Sequence, residues 1–331
     1  MMQLLNSGNL DSIDRPSVVT IGTFDGLHIG HMSLINRARQ IATDQGLASV
    51  AVTFNPHPAA VLRPEHAPLL INSFEERIEL LSKSGVDYCY VVDFDKAAAS
   101  EEALEFVEKT LIDRLMAKVV VVGVDFRFGK DRKGSLELLQ EAGGEYGFVV
   151  EGDPLVKIEG DQLAEICETI QDNSGCSSLV SSSTVIRKLV SRGRVDLAKE
   201  LLKREFFITG LVESGDGRGG SELGYPTANV SYGSDRALPM DGIYAGSVEV
   251  DNVSYRSAIS VGTRPTYYPG GGTRLIEAFI LDFSGDLYNK GVKVNFSSFI
   301  RDQIAFESSQ ELIEQIEKDV KVVVESITLG S

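Results

Sequence analysis

The sequence predicts an α/β protein in two dissimilar halves: a parallel sheet with helices on both faces, then an antiparallel barrel or sandwich with a terminal helix. Two observations predict it. Up to about residue 192, short apolar runs of strand length alternate with helical stretches, as in βαβ units whose strands are covered on both faces. Beyond that point come closely spaced β-like runs separated by glycine-rich turns. At 331 residues the chain exceeds the usual single-domain size, and a division into 1–192 and 193–331 leaves each half able to bury its own core.

In chain order, Val18–Ile21 is a strand that stops at Gly22, and Met32–Ile41 carries apolar residues at helical spacing, so His31 enters that helix's first turn. Leu47–Phe54 is a second strand. Ser73 and Glu76 form a capping box that opens a helix, and Gly85 closes it. Tyr88–Val92 is a strand, Ser100 caps a helix running to about Met116, and Val119–Val122 is a short apolar strand. Arg192-Gly193-Arg194 interrupts a helical stretch, and an amphipathic helix with Leu197, Ala198, Leu201 and Leu202 follows. Phe207–Val212, Ile243–Val248 and Ile276–Leu281 are strands of the second half. Ser308 and Glu311 cap a last helix whose Leu312, Ile316, Val320, Val323 and Ile327 share one face, expected to cover that half.

With 32 basic against 48 acidic residues the formal net charge is −16, which argues against a nucleic-acid or anionic-membrane partner and makes any phosphate site local. Cys89, Cys167 and Cys176 are odd in number and form no CxxC pair, so they are expected to be reduced and structural. No apolar run approaches membrane-spanning length, and the start lacks a basic segment followed by an apolar one, so the chain is expected in the cytoplasm.

The chemistry begins at Gly22-Thr23-Phe24-Asp25-Gly26-Leu27-His28-Ile29-Gly30-His31, a strand exit, a glycine turn and a helix start. There, unpaired backbone N–H groups and the positive end of the helix dipole favour an anion. Two imidazoles on one side add donors that strengthen as phosphorane charge develops. The plainer alternative is a pair of surface histidines. Residues 28–31 spell HIGH, and the segment resembles the HxGH signature of the α/β nucleotidyltransferase superfamily, in which a nucleoside triphosphate is attacked at its α-phosphorus.

Three further segments sit after strands or at a helix start. Phe54-Asn55-Pro56-His57-Pro58 leaves a strand through a rigid, proline-fixed exit. Gly123-Val124-Asp125-Phe126-Arg127-Phe128-Gly129-Lys130-Asp131-Arg132-Lys133-Gly134 puts four cations and two aromatics at the sheet's carboxyl edge, where a solvated basic loop is the alternative. Ser181-Ser182-Ser183-Thr184-Val185-Ile186-Arg187 is a hydroxyl-rich cap with an arginine one turn on, suited to a triphosphate or to capping alone. Together, in order and spacing, these segments resemble the FMN adenylyltransferase half of the bacterial bifunctional riboflavin kinase/FAD synthetase family. The resemblance covers about residues 17 to 192 and implies a Rossmann-like nucleotidyltransferase domain. It implies that Gly22, Phe24, His28, His31, Ser183, Thr184 and Arg187 handle ATP, with the two histidines catalytic. Asn55, His57, Asp125 and Arg127 would help place the nucleotide and FMN. Many relatives carry a basic residue where this chain has Val180, so adenylyl transfer is expected to be weaker or to rely on Arg127, Lys130 or Arg132.

In the second half, Gly215-Asp216-Gly217-Arg218-Gly219-Gly220 matches G-x-G-x-x-G formally. The following Ser221-Glu222-Leu223-Gly224-Tyr225-Pro226 cannot open a helix, which excludes a dinucleotide fold. Backbone N–H groups of such a loop can still wrap a phosphate. Thr227 and Asn229 place a hydroxyl and a carboxamide on one side of an extended chain, as hard-oxygen Mg²⁺ ligands need. Glu277 lies in an otherwise apolar strand, which is costly for a carboxylate unless it faces outward or is functional. These features, with DGIYAG, SVGTRPTYY, LDFSGDLYNK and Phe299-Ile300-Arg301, resemble the riboflavin kinase module of the same family over about residues 204–325. That module is a small antiparallel β-barrel. The resemblance implies that Thr227 and Asn229 hold Mg²⁺ with ATP, that Gly217 and Arg218 cover the nucleotide, that Glu277 is the base for riboflavin, and that Arg301 lies near the flavin. Phe279 stands where relatives often have histidine. The expected activity is phosphorylation of riboflavin to FMN by ATP, then adenylylation of FMN to FAD and pyrophosphate. The alternatives are a kinase with a weakened adenylyltransferase half and a flavin-binding regulator without turnover.

Overall fold

The computed structural model describes residues 1–171, 178–213, 227–263 and 274–328. Its contacts gather into two compact units, one of 1–158 with 178–183, the other of 159–177 with 184–331.

The first unit is built on a parallel sheet of β1 (Gln3–Asn6), β2 (Ser17–Ile21), β3 (Ala48–Asn55), β4 (Tyr88–Asp93), β5 (Ala117–Gly123) and β6 (Val149–Asp153), in the order β1-β4-β3-β2-β5-β6. From β2 the chain winds outward through β3 and β4, then resumes on the other side with β5 and β6. The direction reverses between β2 and β5, and open parallel sheets bind ligands at the carboxyl ends beside such a reversal. The apolar runs are explained by burial on both faces. Val19, Ile21, Val50 and Val52 pack on one face with α5 (Ala103–Phe106), its π-helical continuation Val107–Arg114, and α6 (Leu136–Tyr146). Val18, Ala51, Cys89 and Val119 pack on the other with α1 (Ile29–Gln45) and α3 (Phe74–Lys83). The capping box of Ser73 and Glu76 opens α3 as expected. Two short helices, α2 (Pro58–Leu62) and α4 (Lys96–Ala99), and a two-stranded ribbon of β7 (Lys157–Ile158) and β8 (Leu179–Val180) complete the unit.

One boundary differs from the expected one. Ser100 closes α4 instead of opening the next helix, because Asp95 has already capped α4 through the Ala98 N–H; α5 starts at Ala103 behind Glu102.

The second unit contains α7 (Asp161–Ile170), α8 (Ser183–Val190, from its second residue), α9 (Val195–Leu202) and a closed antiparallel barrel. Its strands are β9 (Phe206–Glu213), β10 (Thr227–Ser231), β11 (Gly242–Val250), β12 (Val253–Thr263), β13 (Arg274–Ile280) and β14 (Gly291–Arg301), ordered β10-β13-β12-β11-β14-β9 with β9 pairing β10. Closure decides for a barrel over a sandwich. The last helix, α10 (Ser309–Ser326), is capped by the Ser308 hydroxyl on the Glu311 N–H. Its Val320 and Val323, with Ile327 just beyond it, pack on Ala245, Ala258, Phe279, Leu281 and Ile300 of the barrel wall. Cys89 is free and buried, but Cys167 on α7 is disulfide-bonded, correcting the expectation of three reduced thiols. Sequence spacing reports proximity only inside regular elements, so no CxxC pattern announced this bond. No helix among the described residues is long and apolar enough to cross a membrane.

Candidate active sites

The turn between β2 and α1 is tightly wound. Phe24 and Leu27 take left-handed backbone conformations (φ 50° and 39°) alongside Gly26 (φ 87°), and a bulky residue at positive φ is rare. Phe24 is fully buried, and a Cβ at Gly22 would meet its ring at 2.9 Å, so Gly22 is required by packing. The Asp25 carboxylate is buried too and accepts from the Ile71 and Asn72 N–H groups (3.0 and 3.1 Å), while its carbonyl accepts from the Ser183 hydroxyl at 2.8 Å.

His28 caps α1. Its Nδ1 accepts from the Gly30 N–H at 3.1 Å, with the Ser181 hydroxyl at 3.4 Å. A ring nitrogen that accepts carries no proton, so this network assigns the proton to Nε2, which is left as a donor. The His28 and His31 rings stack with centroids 3.8 Å apart, and the Phe24 edge meets His31 at 5.3 Å. The buried Phe24 ring therefore packs against an imidazole of the pair.

Parallel pairing of β2 with β3 and β5 sets the other two exits beside this turn. At the end of β3, Asn55 is half-buried, and His57 caps α2 as His28 caps α1, its Nδ1 accepting from the Ala59 N–H at 3.1 Å. Beyond β5, Asp125 and Arg127 are exposed. Phe126 and Phe128 stack at 5.3 Å; Phe128 belongs to the core and the partly buried Phe126 packs against it. Of the loop's cations, Lys130 pairs with Glu102 (3.1 Å) and Lys133 with Asp131 (3.7 Å), so the basic run is partly neutralised by its own neighbours. On α8, Thr184 is exposed and Arg187 half-buried.

Two residues escaped the sequence reading. Lys157 stands directly opposite Val180 on the β7–β8 ribbon, where paired side chains lie on one face about 5 Å apart. Arg77, buried on α3, donates to the carbonyls of Thr23 and Phe54 at 2.7 and 2.8 Å.

On the barrel, register does what proximity in sequence could not. Asn229 faces Glu277 across β10 and β13, and Thr227 faces Phe279. Ala228, Val230, Ile276 and Ala278 between them are buried, and Phe279 packs under α10 with Ala258, Val323 and Ile327, so all four paired residues lie on the outer wall. The ladder continues from Glu277 to Ser260, Ile243 and Arg301. Arg301 is thus three strand steps from Glu277, roughly 14 Å. Its Nε and Nη2 grip the buried Asp319 of α10 (3.0 and 2.7 Å), and Nη1 donates to the Asp302 carbonyl. Arg301 fastens the helix to the wall, which the sequence reading did not foresee. Gly217 and Arg218 lie outside the described residues.

The FAD synthetase family model matches residues 10–166 and the riboflavin kinase model residues 202–327. A protein named bifunctional riboflavin kinase/FMN adenylyltransferase from Buchnera aphidicola is 35% identical over 95% of both chains. One of the same name from Pseudomonas fluorescens is 36% identical over 96% of both. A crystal structure from Streptococcus pneumoniae, named a macrolide-efflux protein, is 32% identical with a TM-score of 0.83 and covers 99% of this chain and 100% of its own.

Proposed function

The chain belongs to the bifunctional riboflavin kinase/FMN adenylyltransferase family, and from that premise we propose how its two units divide the work. Both activities are transferase reactions that use ATP, with FMN the product of one and the substrate of the other.

In the first unit, the observation that carries the reading is the stacked His28–His31 pair at the start of α1, beside the sheet's reversal. A phosphate oxygen of FMN attacks the α-phosphorus of ATP, the bond to pyrophosphate breaks, and no covalent enzyme intermediate is needed. Nε2–H of His28 and the positive end of α1 meet charge that grows in the transition state. Gly22 keeps the turn compact and the Ser183 hydroxyl is bonded to it; Thr184 and Arg187, which fall in the second unit, are assigned to ATP by family resemblance alone. Asn55, His57, Asp125 and Arg127 are the flavin-side groups of the same assignment.

In the second unit, Glu277 takes the proton of the riboflavin 5′-hydroxyl as its oxygen attacks the γ-phosphorus and ADP leaves. Thr227 and Asn229 offer neutral oxygens. Among the described residues no cluster of three or more His, Cys, Asp or Glu side chains is placed to hold a metal. That donor set fits Mg²⁺ carried mainly by phosphates and touched by one or two protein oxygens, and bound there the ion would neutralise phosphate charge. Arg301 is assigned near the flavin by the same resemblance, and its grip on Asp319 fixes α10. The acidic balance of the chain argues against a nucleic-acid partner and leaves phosphate binding to local groups. Chromatography of reactions with riboflavin, ATP and Mg²⁺ tests the whole: FMN should appear first and FAD after it, and FMN alone would leave only the kinase half standing.

A further inference from the structure

Arg77 is the one arginine or lysine buried in the described part of the first unit, at 4% exposure. Such burial is expensive. Its hydrogen bonds run to two backbone carbonyls and not to a carboxylate, and burial pushes the guanidinium pKa down against the pull of Asp25. An apolar side chain would fill the space at lower cost, so the carbonyls it holds are the reason for it.

Those carbonyls belong to Thr23 and Phe54, which precede the turns bearing His28 and His31 and bearing Asn55 and His57. The Thr53 hydroxyl adds a bond to the Thr23 carbonyl at 3.1 Å. In a trans peptide the carbonyl and the next N–H point in opposite directions, so holding the Thr23 carbonyl turns the Phe24 N–H away from the clamp. Phe24, at φ 50°, keeps its left-handed conformation only where the surroundings over-determine it. A planar fork with fixed donor spacing can bridge two strand ends, whereas an ammonium cannot.

We infer that Arg77 is a positioning residue for adenylyl transfer: it clamps the exits of β2 and β3 together and holds the strained Phe24 turn so that the stacked histidines meet the α-phosphate. This rests on the reading of that turn as the adenylyl-transfer site. Groups preorganised for the transition state are read in kcat more than in KM.

The test uses the full chain, assayed for FAD formation from supplied FMN and ATP and for FMN formation from riboflavin. Arg77→Met should lower kcat for FAD formation about 30-fold with KM values within about threefold of wild type, while FMN formation stays unchanged. Arg77→Lys should recover part of the loss, and Thr53→Val should lower kcat about threefold in the same direction. If Arg77→Met does not fold, Arg77→Lys and Thr53→Val decide the matter. Wild-type kcat in the folded variants, or a loss confined to KM, overturns the clamp. His28→Ala in the same assay separates the premise: if it still forms FAD at the wild-type rate, the site reading fails independently of Arg77.

Discussion

Gly30→Ala tests how finely the histidine pair is placed. A methyl group at position 30 would lie 3.1 Å from His28 Cε1, 3.2 Å from its Nδ1 and 3.3 Å from the Ser181 carbonyl. Favourable contacts lie near 3.5–4.0 Å, so the ring must retreat by about half an ångström. His28 cannot move alone, because its ring is bonded to the Gly30 N–H and stacked on His31. A misplacement of about 1 Å can cost about 10²-fold in rate, so half of that implies about tenfold. Stability should move the other way, or not at all: alanine is better than glycine in a helix by roughly 0.8–1 kcal/mol, which offsets the crowding. The expected result is a tenfold fall in kcat for FAD formation, an unchanged or slightly raised Tm, and an unchanged rate of FMN formation. Wild-type FAD formation by the alanine variant would show that the imidazoles are not positioned by this contact.

Glu277→Gln keeps size and removes basicity, so riboflavin phosphorylation should fall by about 10²–10⁴ while adenylylation of supplied FMN continues; near-wild-type phosphorylation would leave Glu277 a solvent-facing strand residue. Replacing both His28 and His31 by alanine should abolish FAD formation and leave FMN formation within a few-fold, measured by chromatography. Lys157→Ala should raise KM for ATP in adenylyl transfer by about three- to tenfold, an exposed cation contributing less than a buried one, and adding Val180→Arg should restore it. The Cys89 thiol, pushed up to about 12 by burial, is protonated at pH 8, and mass spectrometry of native protein treated with iodoacetamide should find it unlabelled.

What the sequence could disclose was whatever its neighbours in sequence enforce. His28, Gly30 and His31 sit within one turn of each other, so capping, stacking and the need for glycine are all local and legible in the HIGH segment. Glu277 was harder, since an acid in an apolar strand is ambiguous until its partners are known; the register placing it opposite Asn229 is a contact across 48 residues. Arg77 was silent for the same reason. On α3 it reads as one charge in a polar run, and only the return of that helix to the sheet brings it to Thr23 and Phe54. The partner of Arg301 was hidden in the same way, because Asp319 lies on the helix that the barrel carries. The burial of Phe24 and Phe128, and the packing of the partly buried Phe126 against the core, are likewise set by residues distant in sequence.

The outer wall of the barrel has a consequence for how such a site can be changed. Thr227 and Asn229 alternate with Ala228 and Val230, and Glu277 and Phe279 with Ile276 and Ala278, so one parity fills the interior and the other lies on the outer wall, where the kinase chemistry is proposed. A slip of one residue in the pairing of β10 with β13 would exchange these roles entirely. The apolar residues are in effect the ruler against which the polar ones are set, and hydrophobic substitutions at 228 or 230 would be expressed as altered phosphorylation before they were expressed as unfolding. Conversely, the pattern hydroxyl-apolar-carboxamide facing acid-apolar-aromatic is compact enough to be written into another antiparallel wall as a unit, provided that wall supplies its own helix to cover the aromatic end.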